Sequence, residues 1–322
     1  MENRENKKDP NIENDAGWTS EPVVLARQSL WESNDKRVRF LRTLPGQILI
    51  ALWLYCVLRG LLSWMVIDRG ILRPLVNNGT IAADHLTAIQ AYSMIFVLAG
   101  FILYMWFAER RSFPAMGFIR KNWLLRYLAG LCCGFVMFLI VLLISAALTG
   151  GNIVFSGSIT PGMFLFALGG FMVQGMAEEA EVRGYMFLSI SRTHKEYIGV
   201  ICSSLFFGVM HLLNSGVTVL SVVNTTLFGF AFCLMFIVSE NIWFIAAFHT
   251  AWNFAQGNIF GMSVSGHESA PGLFTVELPE GSEILTGGSY GIEAGVITTA
   301  AALVLIAISL VIIRKRRNTA SN

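Results

Sequence analysis

The chain has 322 residues, 54% of them hydrophobic and only 14% charged, and its apolar residues fall in long runs instead of alternating with polar ones. That pattern excludes an ordinary soluble domain and predicts an all-α polytopic protein of the lipid bilayer. A net charge of +2, with basic residues at the ends of apolar runs, gives no footing for a nucleic-acid partner.

Residues 1–45 read as a polar tail, the first 35 or so with the low hydrophobicity of disorder and without the pattern of a cleaved secretory signal, so the first span is expected to drive insertion. At about 20 apolar residues per crossing, the chain offers about eight spans: 46–67, 87–108, 125–149, 162–188, 197–213, 217–238, 241–259 and 291–313. They form a domain over 46–313, followed by a basic tail at 314–322. Basic clusters at Lys36 to Arg42, Arg110 to Arg126, Arg192 with Lys195, and Arg314 to Arg317 fall on one side only for an even number of spans with both termini cytoplasmic. Arg69 and Arg73 are the exceptions. The opposite side carries a Gly/Ser-rich stretch near 150–162 and a longer loop at 257–289, which suits either a lid or a plain solvated connection. The five cysteines, all in apolar segments and without Cys-x-x-Cys spacing, read as packing residues.

Ionisable residues inside these spans carry the functional information, because a charge at bilayer depth costs about 2.5–3.5 kcal/mol and so pairs or lines a wet cavity. Glu178-Glu179-x-x-x-Arg183 comes first. Glu179 and Arg183 are four apart and share a helix face, whereas Glu178 points about 100° away toward a different cavity. Taken alone, a Glu/Arg pair suits a structural tie between helices. Phe207-x-x-x-His211 and His249-x-x-x-Asn253 follow in two further helices. Three helices thus offer a base, hydrogen-bond donors and a cation, the set that amide hydrolysis needs. Spacing alone leaves a protease-like site and an ion-coupled transporter both open.

The run Glu178-Glu179-Ala180-Glu181-Val182-Arg183-Gly184, with Phe207-x-x-x-His211-Leu212-Leu213-Asn214 and His249-Thr250-Ala251-Trp252-Asn253, resembles the CAAX protease and bacteriocin-processing (CPBP, or Abi) family of intramembrane proteases over residues 125–260. The resemblance implies an endopeptidase cleaving membrane-associated peptides or proteins, with Glu178 and His211 activating water, His249 and Asn253 stabilising the oxyanion, and Glu179 with Arg183 as supporting pair. It leaves the metal question open between a metalloprotease, with zinc on Glu178, His211 and His249, and a glutamate-type peptidase that needs none. The motif surroundings look like the bacterial branch, linked to bacteriocin maturation or self-immunity, which implies a cell-membrane location and a substrate that is not prenylated. Glu181 departs from the family, which usually has an apolar residue there. A catalytically idle scaffold of the same family and a transporter stand as the other readings.

Overall fold

The computed structural model describes residues 20–28, 42–80, 85–268 and 272–320. It is a helical bundle. The helices are α1 (Glu21–Gln28), α2 (Leu44–Leu54, continuing as a π-helix over Tyr55–Leu72), α3 (Leu86–Ser93), α4 (Ile95–Phe107), α5 (Trp123–Thr149), α6 (Pro161–Glu179), α7 (Glu196–Val209), α8 (Val219–Ser239), α9 (Ile242–Phe254) and α10 (Val296–Ala320). The α6 helix runs on through a π-helical stretch, Ala180–Phe187, and a last α-helical piece, Leu188–Thr193. The strands β1 (Asn152–Phe155) and β2 (Phe274–Glu277) pair antiparallel, Asn152 opposite Glu277, and so join the two loops on that side of the bundle.

Among the described residues, five helical segments are long and apolar enough to cross a membrane: Leu44–Leu61, Leu86–Phe107, Trp123–Thr149, Val219–Ser239 and Val296–Thr319. The other three expected spans are helical but differ from them in kind. The α6 segment keeps both glutamates and Arg183 buried in its centre, α7 is a shorter apolar helix of 14 residues, and α9 passes into a π-helix at Ala255–Ile259. At 1.5 Å per residue α7 reaches only roughly 21 Å, short of the ~30 Å hydrocarbon core. Each of the three buries part of its surface against protein, while α7 leaves Tyr197, Ile201, Leu205 and Val209 exposed along one face and α6 leaves Leu165 and Met172 exposed.

Sequence chemistry sets the helix ends. Thr43 and Thr160 accept hydrogen bonds from Gly46 N and Met163 N, with a proline at the start of each helix. Thr218 and Ser221 form a reciprocal cap on α8, and Asn241 caps α9 only two residues after α8 ends. Close packing then depends on missing side chains. A Cβ on Gly130 would stand 2.1 Å from Phe244 O, and one on Gly134 2.3 Å from Phe248 O, so α5 and α9 touch backbone to backbone. This contact seats the helix that carries His249.

Two expectations change. Within the polar tail, residues 21–28 form a helix whose Val23 and Ala26 are fully buried and whose Arg27 donates to Ser191 O at 3.2 Å; residues 1–19 and 29–41 lie outside those described. Arg111 and Arg192, counted from sequence with the loop charges, are buried. Arg192 pairs with Glu109 at 3.0 Å, and Arg111 pairs with Glu109 and donates to Gly184 O at 2.9 Å. Sequence position alone did not reveal this internal ion cluster, because its members sit at helix ends where basic residues normally face water.

Candidate active site

Arg183 is fully buried and organises the interior of α6. Its guanidinium donates to Glu179 Oε1 at 3.0 Å and to Gly229 O on α8 at 3.0 Å. It lies over the rings of Phe207 and Phe232, 4.9 and 5.3 Å from their centroids. The same Glu179 oxygen meets His249 Nδ1 at 3.0 Å. One carboxylate therefore binds the arginine of its own helix and the histidine of α9, which fixes the plane of that imidazole.

Glu178 faces elsewhere, as its helical offset predicts. Its Oε1 receives Gln174 Nε2 at 3.3 Å and pairs with Arg59 Nη2 at 3.3 Å, while Oε2 lies 3.7 Å from His249 Nε2. His249 thus stands between the two glutamates, one ring nitrogen toward each. His211 does not sit in a helix as the sequence suggested. The α7 helix ends at Val209, and His211 occupies the turn that follows. Its Nδ1 lies 2.7 Å from Phe207 O, so Nδ1 carries the proton and Nε2 keeps a free lone pair. Tyr55 OH donates to Met210 O at 3.1 Å and anchors this turn against the π-helical part of α2.

Glu178, His211, His249 and Asn253 all line one cavity of about 50 Å³, room for water beside the ionisable groups. Asn253 is one turn beyond His249, on the same face of α9 and 4% exposed. The supporting pair Glu179 and Arg183 lies behind this wall. Residues outside the three motifs complete it: Arg59 from α2, Asn214 from the turn, Val264, Ser265 and His267 from the long loop, and Glu293 just before α10. The loop is therefore a wall of the cavity. Asn214 Nδ2 donates to Ser265 O at 2.8 Å, and Glu293 receives Ser265 N at 2.7 Å, Ser265 Oγ at 3.1 Å and Gln256 Nε2 at 3.1 Å. Burial pushes the Glu293 carboxyl up to about 7, against the pull of the Ser265 and Gln256 hydrogen bonds.

Sequence reasoning missed Arg59 and Glu293, although a signal existed for each. Arg59 is the one charged residue in the run 46–67, and Glu293 the one in 291–313; an isolated charge in such a run marks a partner or a cavity. Glu181 is fully buried, and neither of its carboxylate oxygens has a hydrogen-bond partner among the described residues. For zinc, two histidines and a glutamate are donors of the right kind, but their placement does not fit. Glu178, His211 and His249 share the cavity, yet among the described residues no group of three or more His, Cys, Asp or Glu is placed to hold a metal ion.

The family model of type II CAAX prenyl endopeptidases, Rce1-like, matches residues 160–255, the stretch from the start of α6 to the end of α9. The match is consistent with the CPBP resemblance and supports a protease of the membrane. No curated protein matches the chain.

Proposed function

We propose that this chain is an intramembrane endopeptidase that hydrolyses peptide bonds in membrane-associated substrates. The observation that carries the reading is the convergence of Glu178, His211, His249 and Asn253 on one buried, water-sized cavity. The chemistry follows from what each side chain offers. Water held between Glu178 and the free Nε2 of His211 gives up its proton as its oxygen attacks the scissile carbonyl. A C–O bond forms, and the negative charge collects on the former carbonyl oxygen. Asn253 Nδ2 donates to that oxygen, as does His249 in its protonated form, with Glu179 holding the ring by its other nitrogen. Collapse of the intermediate breaks the C–N bond, and the abstracted proton passes to the leaving amine.

Arg183 and Glu179 act at one remove, by fixing His249. On the even count of spans read from the sequence, both chain termini lie on the cytoplasmic side of a cell membrane, in keeping with the basic clusters at 36–42 and 314–317. The test is cleavage by purified protein of membrane-anchored peptides, offered with and without a prenyl group, compared with Glu178→Gln and His211→Ala. Hydrolysis that both variants lose is the expected result. Absence of cleavage by the wild type, or turnover retained in both variants, overturns the reading.

A further inference from the structure

Arg59 has one end of its guanidinium occupied and the other idle. Nη2 pairs with Glu178 Oε1 at 3.3 Å, whereas Nη1 is buried and has no hydrogen-bond partner among the described residues. Buried donors are nearly always satisfied, so an idle guanidinium nitrogen against a cavity needs a reason. The neighbouring groups do not supply its partner. Tyr55 lends only its ring, 5.8 Å from the guanidinium carbon. Glu181, within electrostatic reach of Arg59, accepts no hydrogen bond from it on either oxygen. His267 lines the cavity from the loop, and Asp68 farther along the same helix is bound to Arg73 and Gln90 at 3.1 and 2.7 Å.

Arg59 also comes from α2, outside the residues 160–255 that match the family model. Its side chain is 23% exposed. Arg59 lines the cavity with part of this side chain, while Nη1 itself is buried.

We propose that Arg59 is a substrate-binding residue, taking a carboxylate of the peptide on Nη1 while Nη2 keeps Glu178 in place. The inference rests on the protease reading above and narrows its substrate class. A guanidinium presents paired donors that match a carboxylate in plane and charge, which is the ligand this atom lacks. Arg59 pairs directly with Glu178, the residue proposed to hold the water, so a carboxylate on Nη1 sits close to the scissile bond, within the reach of a few extended residues at ~3.5 Å each. The preferred substrate therefore carries its negative charge within a few residues of the scissile bond. The chain's own C-terminal carboxylate and an Asp or Glu side chain meet this requirement equally.

The experiment uses the full-length protein in detergent or bilayer nanodiscs and one membrane-anchored peptide in four forms: C-terminal acid or amide, each with Asp or Asn two residues from the cleaved bond. Expected for the wild type is a preference of roughly 10- to 100-fold in kcat/KM, carried by KM, for the form that keeps the relevant carboxylate. The acid and amide arms identify the chain terminus as its source, and the Asp and Asn arms the side chain. Arg59→Gln should erase that preference, and Arg59→Lys should keep part of it. Equal cleavage of all four forms by the wild type overturns the inference, as does a preference that survives in Arg59→Gln. Loss of turnover on all four forms alike in both Arg59 variants also overturns it, by making Arg59 a support for Glu178 alone. Failure of the wild type to cleave any form counts against the protease reading beneath it, so the two failures are distinguishable.

Discussion

Arg183 Nη1 lies 3.0 Å from Glu179 Oε1, one helical turn away, and both side chains are fully buried. Removing either member leaves the other charge without a partner in a place that water does not reach. Arg183→Ala should therefore destabilise the protein by about 3–5 kcal/mol, visible as lower membrane yield and a lower melting temperature in detergent. Arg183→Lys should recover only part of the loss, since an ammonium cannot reach Glu179 and Gly229 O together from between two aromatic rings. Unchanged melting of Arg183→Ala would refute the account.

Glu178 and His211, proposed to activate water, should separate activity from stability. Glu178→Gln keeps the shape of the side chain and His211→Ala changes only a turn, so both variants should fold. Each should lose roughly 10²-fold or more in kcat/KM. Thermal melting and turnover measured on the same preparations decide the matter.

His249 distinguishes the mechanism derived above from a zinc one. As an oxyanion donor, its replacement by alanine should slow turnover by roughly 10²–10³-fold and leave metal content unchanged. Dialysis against a chelator should leave the wild type active. Stoichiometric zinc that disappears in His249→Ala, with chelator-sensitive activity restored by added zinc, would make Glu178, His211 and His249 ligands.

Glu293 makes the loop that walls the cavity sensitive to pH. Its carboxyl is raised from 4.5 to about 7, so the folded state holds the proton more tightly than the unfolded chain does. The stabilisation from this group is complete below about 4.5 and is lost as pH rises through about 7, a change of up to roughly 3 kcal/mol. The expected readout is a falling hydrogen-exchange protection factor at the Ser265 amide across that window. Glu293→Gln should flatten the profile; a profile already flat in the wild type would contradict the assignment.

Much of this was legible in the residues. Helical spacing placed Glu179 against Arg183 and turned Glu178 away from both, and the structure has these contacts because side-chain direction on a helix is a local property. The same logic failed at His211. Its segment is apolar enough to read as helix through Leu213, but α7 stops at Val209 and the histidine gains its orientation from a turn held by Tyr55. By length and hydropathy five segments among the described residues qualify as spans, and the other three expected ones are shorter or carry buried charges; hydropathy does not distinguish a helix apolar because it faces lipid from one apolar because it is packed inside protein. The pairing of Arg59 with Glu178 joins residues more than a hundred positions apart, and no local pattern encodes such a distance.

The walls of the cavity have two origins along the chain. Everything assigned to bond breaking lies between α6 and α9, within the matched stretch. Arg59 before it, and Ser265, His267 and Glu293 after it, are flanking residues that meet this core only in three dimensions. A chimera that grafts the α2 segment and the loop before α10 onto another core of this kind should thus transplant the choice of peptide while leaving the hydrolytic chemistry to its host. On the proposed reading, selectivity and catalysis become parts of one small chamber that meet at a single joint, the Arg59–Glu178 pair.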